Sequence, residues 1–249
     1  MIHLSTTPPV ADLVIDRAAK RNAMTQAMWE QLPTLLADAA AHAATRLVLL
    51  KSATAGIFCA GADIAELLAN KDDADWRSAN QRAINRAQHD LARLALPTLA
   101  FIDGDCIGGG CGLALACDLR IATPRARFAI TPAKLGLVYP LHDTKLLVDL
   151  VGPGQAKRLL FTGEIIDAAE ALRIGLIEVI ADTPDAWITA LSAASPSSIR
   201  AIKHFVRRVL DGQSNDDAET LAVFAEAFTG TDFLEGTTAF VEKRKPEFG

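Results

Sequence analysis

One tyrosine, three tryptophans and three methionines are all that the 249 residues contain of those types. The net charge of −5, from 25 basic and 30 acidic residues, argues against nucleic acid as the main partner and leaves room for a local basic patch that binds a phosphorylated small molecule. Cysteine is sparse: Cys59, Cys106, Cys111 and Cys117. None forms a C-x-x-C pair, and only five histidines exist, so no metal site is expected. All four thiols sit in apolar or small-residue runs, which reads as reduced cysteine buried in a core. No apolar run approaches the roughly 20 residues that span a bilayer, so no membrane partner is expected. "MIHLSTTPPV" has neither the basic region nor the apolar core of a secretory leader, and the expected location is cytoplasmic. A G-x-G-x-x-G with a following acidic partner is missing, as is G-K-[ST], which removes dinucleotide and P-loop chemistry.

What is present is apolar material. Half the residues are hydrophobic, enough for one large domain with a full core. The first half alternates. "VADLVIDR" (Val10–Arg17), "RLVLLKS" (Arg46–Ser52), "TLAFIDG" and "LRIAT" have strand character. Between them lie a helix over Thr25–Ala44, a short helix after "FCAGAD", a long one over Asp75–Leu96 stopped by Pro97, and a small-residue helix in "GGGCGLALACD". This order predicts an α/β core. From Thr144 onward nearly everything reads as helix, with one strand near Leu176–Ile180. The expected division is a core over residues 1–190 and a helical region over 191–249, whose apolar faces suit packing between subunits.

Two glycine turns share a logic: "AGIFCAGADIAEL" and "IDGDCIGGGCGLALA". Each follows a buried strand and opens a helix, where backbone N–H groups are unpaired and the dipole is positive. Two such groups aimed at one point can hold a developing oxyanion.

These segments resemble the enoyl-CoA hydratase/isomerase (crotonase) superfamily. "FCAGADIAEL" is similar to its F-x-A-G-A-D-I-x-E-x segment, and "GGGCGLALACDLRIA" to G-G-G-x-E-L-A-x-x-C-D-x-R-I-A. "RAAKRNAM", "LLFTGEIIDAAEALRIGLIEVI" and "EGTTAFVEKRKPEF" match three further family segments in order. The resemblance implies a crotonase-like spiral of ββα units with a helical trimerisation tail, assembled as a homotrimer or a homohexamer. It implies an acyl-CoA substrate, with coenzyme A arriving as part of that substrate and no other cofactor. It implies that the backbone N–H groups of Ala62 and Gly109 polarise the thioester carbonyl. Ala60, Asp63 and Ile64 would line the nucleotide end, and Lys20 and Arg21 would lie near the phosphates. Gly108, Gly112 and Pro132 would line the substrate, while Phe240 and Lys243 would reach a neighbouring subunit's ligand.

The chain departs from that pattern at two places. Hydration in this family uses two glutamates. The first, from G-G-G-x-E, is replaced by Gly112. The second falls in "FAITPAKLG" (Phe128–Gly136), where Pro132 stands. Neither residue can move a proton. Downstream, "LGLVYPLHDTKLL" holds Tyr139, His142 and Asp143, the nearest groups able to serve as acid, base or orienting partner. The pattern F-x-x-T-P-x-x-L-G-x-x-Y also resembles the methylmalonyl-CoA decarboxylase branch, although that branch has histidine where Ala62 stands.

The expected function is an acyl-CoA enzyme that stabilises an enolate, with decarboxylase- or isomerase-type lyase chemistry favoured over two-glutamate hydration. The alternative is a non-catalytic acyl-CoA-binding homologue. A peptidase on the related spiral fold is disfavoured, because Ser52 and Ser78 lie in no nucleophile-type turn.

Overall fold

A computed structural model describes residues 1–248. β1 (Ile2–Thr7) and β2 (Val10–Ile15) form an antiparallel hairpin, followed by α1 (Gln26–Ala41). Three units then repeat one scheme: a strand for one sheet, a strand for a second sheet, then helix. The first is β3 (Leu47–Ser52), β4 (Ile57–Cys59), α2 (Ile64–Ala69) and α3 (Ala74–Ala92). The second is β5 (Thr98–Ile102), β6 (Asp105–Ile107) and α4 (Gly109–Ala116). The third is β7 (Leu119–Ala122), β8 (Arg127–Ala129) and α5 (Leu141–Thr162), which breaks at Gly152 (φ 71°) before Pro153. β9 (Ile166–Asp167), α6 (Ala168–Arg173), β10 (Val179–Ile180) and α7 (Asp185–Ser192) close the body. The tail is α8 (Pro196–Leu210), α9 (Ala218–Ala227) and α10 (Thr231–Glu242).

The larger sheet runs β1-β2-β3-β5-β7-β10 and the smaller runs β4-β6-β8-β9. This is the α/β spiral of ββα units. Apart from the β1–β2 and β8–β9 pairs, neighbours are parallel. Parallel strands are covered on both faces, which is why Leu47, Val48, Leu49 and Leu50 are all buried. Their alternation sorts them between two cores. Val48 and Leu50 join the main core with Trp29, Leu32, Ala87 and Leu91 of α1 and α3. Leu47 and Leu49 meet Leu99 and Ile121 on the other face, under Trp187, Ile188 and Leu191 of α7.

The sequence-based division at residue 190 therefore falls inside α7, a helix that belongs to the body. The long helix begins at Ala74, where Asp73 accepts a cap bond from Trp76 N at 2.9 Å, and ends at Ala92, before the reach of Pro97. The last amphipathic stretch is two helices, separated at Gly230. Among the described residues, no helix is long and apolar enough to cross a membrane.

Candidate active site

The two glycine turns meet because β4 and β6 pair in parallel, with Cys59 opposite Cys106. Ala62 and Gly109 each lie three residues beyond those partners. Parallel pairing thus delivers both turns to the same sheet end. Beside Ala62 the amides are spoken for: Met24 N donates to Gly61 O at 2.7 Å, and Asp63 N to Met24 O at 2.9 Å. Gly109 is the first residue of α4 and has no intrahelical acceptor. Among the described residues, neither the Ala62 nor the Gly109 amide donates to a backbone or side-chain acceptor. Both residues are half-buried among fully buried neighbours.

Asp63 holds the first turn in place. Its Oδ1 accepts from Ala65 N (3.0 Å) and Glu66 N (3.2 Å), capping α2, while Oδ2 pairs with Arg17 Nη1 at 2.8 Å. The Arg17 hydrogen bond is the main reason its carboxyl is held below the ordinary carboxylate range. Of the residues expected at the nucleotide end, Asp63 and Ala60 have their N–H groups engaged within the protein. Asp63 N is bound to Met24 O, and Ala60 N donates to Arg21 O at 3.0 Å. Ile64, 43% exposed, leaves an open apolar flank on α2.

Near the second turn, Tyr139 is buried and its hydroxyl donates to Gly108 O at 3.2 Å. Burial, reinforced by the Asp143 charge, pushes the phenol well above its ordinary value. Tyr139 thus ties the start of α5 to the second glycine turn through a hydrogen bond from its hydroxyl.

Asp143 lies in the first turn of α5 yet caps nothing; the cap position is Pro140. Its side chain turns inward instead, is 1% exposed and accepts from Gln88 Nε2 at 3.1 Å. A Cβ built on Gly112 would stand 2.8 Å from Asp143 Oδ2. Gly112 is one turn along α4 from Gly109, so this carboxylate lies beside the second glycine turn. His142 Nδ1 stands 3.5 Å from Asp143 Oδ1, too far for a well-formed hydrogen bond.

Ala62, Gly108, Gly109, Gly112, Tyr139, His142 and Asp143 are thus brought together. Pro132 opens a one-turn helix after β8, half-buried. Arg21 pairs with Asp105 rather than standing free, and Lys20 is exposed. Phe240 (86% exposed) and Lys243 lie at the end of α10. Neither side chain bonds α2, α4 or α5 among the described residues. Sequence reasoning missed Gln88. A signal was available: it is a polar residue on the face of α3 that buries Ala83, Ala87, Leu91 and Ala92.

Comparison with known proteins agrees with this geometry. The model of the enoyl-CoA hydratase/isomerase family matches residues 6–249. The chain is 32% identical over 248 residues to the short-chain-enoyl-CoA hydratase of Clostridium acetobutylicum, covering 96% of this chain and 93% of that one. Among solved structures, an enoyl-CoA hydratase/isomerase family protein from Hyphomonas neptunium superposes with a TM-score of 0.95 at 38% identity, over 100% of this chain and 97% of that chain. The enoyl-CoA hydratase from Bacillus anthracis gives 0.89 at 31% identity, over 99% and 98%. With an unpaired amide at each of two adjoining helix starts, and a match that runs almost end to end, the chain belongs to the enoyl-CoA hydratase/isomerase family.

Proposed function

We propose that this protein binds an acyl-CoA thioester with its carbonyl oxygen between the Ala62 and Gly109 amides, and that Asp143 moves a proton at the α-carbon. The observation that carries this reading is the buried Asp143 carboxylate beside Gly112, one helical turn from Gly109. Removing an α-proton sends the C–H electron pair toward the carbonyl. The oxygen gains charge, and two N–H donors stabilise it. A single base suffices for a double-bond shift. Asp143 takes the proton from the α-carbon of a β,γ-unsaturated thioester and returns it to the γ-carbon. One C–H bond breaks, one forms, and the double bond moves into conjugation.

Gly112 and Pro132 offer no second carboxylate to activate water, which supports isomerase-type over two-carboxylate hydration chemistry. Decarboxylation of a malonyl-type thioester is less favoured, because Asp143 would repel the substrate's own carboxylate. Lys20, Arg21, the Ala60 carbonyl and Ile64 are the groups offered to coenzyme A. The exposed faces of α8–α10, with Ile202, Val206, Phe224, Phe228 and Phe233, support assembly as a homotrimer or a dimer of trimers. In such an assembly Phe240 and Lys243 would serve a neighbour's ligand.

The test uses 3-butenoyl-CoA and crotonyl-CoA side by side. Conversion of the first, lost in Asp143→Asn, is expected. Fast water addition to crotonyl-CoA that survives Asp143→Asn would overturn the assignment, and tight binding with no turnover of either would favour a binding protein.

A further inference from the structure

Gln88 is fully buried, on the inner face of α3. An amide in that setting is costly where it is not hydrogen-bonded. Its Nε2 donates to Asp143 Oδ2, while its Oε1, like Asp143 Oδ1, is buried without a partner among the described residues. The two side chains together fill the space over Gly112: a Cβ there would fall 2.2 Å from Gln88 Nε2 and 2.8 Å from Asp143 Oδ2. Position 112 is therefore more than a place without a side chain. The room its side chain would need is occupied by a pair that comes from two other helices. The pair is also asymmetric. Asp143 Oδ2 is held, whereas Oδ1 is buried with no hydrogen-bond partner among the described residues.

We infer that Gln88 is a positioning residue: its amide ties Asp143 Oδ2 over Gly112 and leaves Oδ1 to exchange the substrate proton. This rests on the reading of Asp143 as the base. Glutamine suits the role because it donates a hydrogen bond without bringing a charge that would compete with the carboxylate. Without it, the Asp143 side chain has no donor to fix its rotamer, and the carboxylate no longer holds one orientation. Gly112 is the second part of the device, since any larger residue displaces the Gln88 amide.

The experiment measures kcat and KM for 3-butenoyl-CoA isomerisation in wild type, Gln88→Leu, Gly112→Ala and Asp143→Asn. It also takes Gln88→Leu and Gly112→Ala in the Asp143→Asn background. Gln88→Leu is expected to lower kcat about tenfold to a hundredfold, the range of one hydrogen bond to a charged group, with KM within about twofold. Gly112→Ala is expected to act in the same direction. The atoms it meets are the ends of the Gln88 and Asp143 side chains rather than backbone, and a thermal melt checks that the variant is folded. On the Asp143→Asn background, where the residual rate is read at high enzyme concentration, neither change has a further effect. Gln88→Met, unbranched and without a donor, replaces Gln88→Leu if that variant does not fold. Full kcat in the Gln88 variant, with Asp143→Asn impaired, overturns the inference alone. So does a loss that persists undiminished on the Asp143→Asn background, which marks a packing role. Full kcat in Asp143→Asn overturns the assignment of the base and this inference with it.

Discussion

Gly61 packs directly against the amide of Gly109. A Cβ on Gly61 would stand 3.1 Å from Gly109 N and 2.8 Å from Ile107 O, and Gly61 has a backbone φ of +92°. The two helix starts share one small space because nothing larger than a hydrogen lies between them. Gly61→Ala meets backbone atoms that cannot swing aside. It is expected to destabilise the protein by about 1–3 kcal/mol. The separated donors should also lower kcat about a hundredfold. Thermal melts and steady-state rates check both.

Gly109→Pro removes the second donor. Gly109 is the first residue of α4, where a helix tolerates proline, although the ring also meets the Gly61 backbone and Trp29 packed beside it. The expected result is a kcat about 100- to 1,000-fold lower, read beside a thermal melt that shows the variant folded. An unchanged kcat in a folded variant defeats the oxyanion assignment.

Asp63 tests how the first turn is held. Asp63→Ala removes the α2 cap and the Arg17 pair, and is expected to cost about 0.5–2 kcal/mol at neutral pH. Asp63→Asn keeps a capping oxygen and costs less. The native carboxyl is held low, chiefly by the Arg17 hydrogen bond. Its contribution is therefore complete above the unfolded-state value, about 3.9, and is lost as pH falls through the native value. Denaturant melts of wild type and Asp63→Ala should differ by a constant amount near neutrality and converge in acid.

Tyr139→Phe deletes a neutral hydrogen bond to Gly108 O. The expected stability loss is about 1 kcal/mol or less, because Gly108 O still accepts from Gly112 N at 3.2 Å. The expected loss in kcat is under about tenfold, since the donor amides remain. Because the phenol is pushed well above its ordinary value, the wild-type rate should show no alkaline limb that the variant lacks.

The thiols should be silent. All four cysteines are buried, and burial pushes Cys59 and Cys117 up to about 12. Only the thiolate reacts. At pH 8 a thiol-specific chromogenic reagent should titrate no cysteine in the native protein and four after denaturation. Rapid native labelling of any one of them would contradict the packing of β4, β6 and α4.

Much of the fold could be read without coordinates, for local reasons. The continuous apolar runs Leu47–Leu50 and Leu99–Ile102 announce strands covered on both faces. Thr25 stands at the start of α1 without a side-chain cap bond, and α3 stops at Ala92, short of Pro97, so the exact helix ends were set by more than these two residues. The strands that went unread, β4, β6, β8 and β9, have two or three residues each, too short for a periodic pattern. They exist because neighbours pair with them. β1 was unread for a related reason: its side chains alternate between buried and open only once β2 lies alongside.

The same division holds at the site. The sequence by itself marked the two glycine turns, because each is a property of a few consecutive residues. It also determined that positions 112 and 132 carry no ionisable group. Which carboxylate stands beside the donors was decided only by the tertiary structure. Gln88, Gly112 and Asp143 belong to three helices, and no local pattern relates them. Their meeting follows from how α3, α4 and α5 pack, where the missing side chain of a glycine on one helix makes room for a hydrogen-bonded pair from the other two.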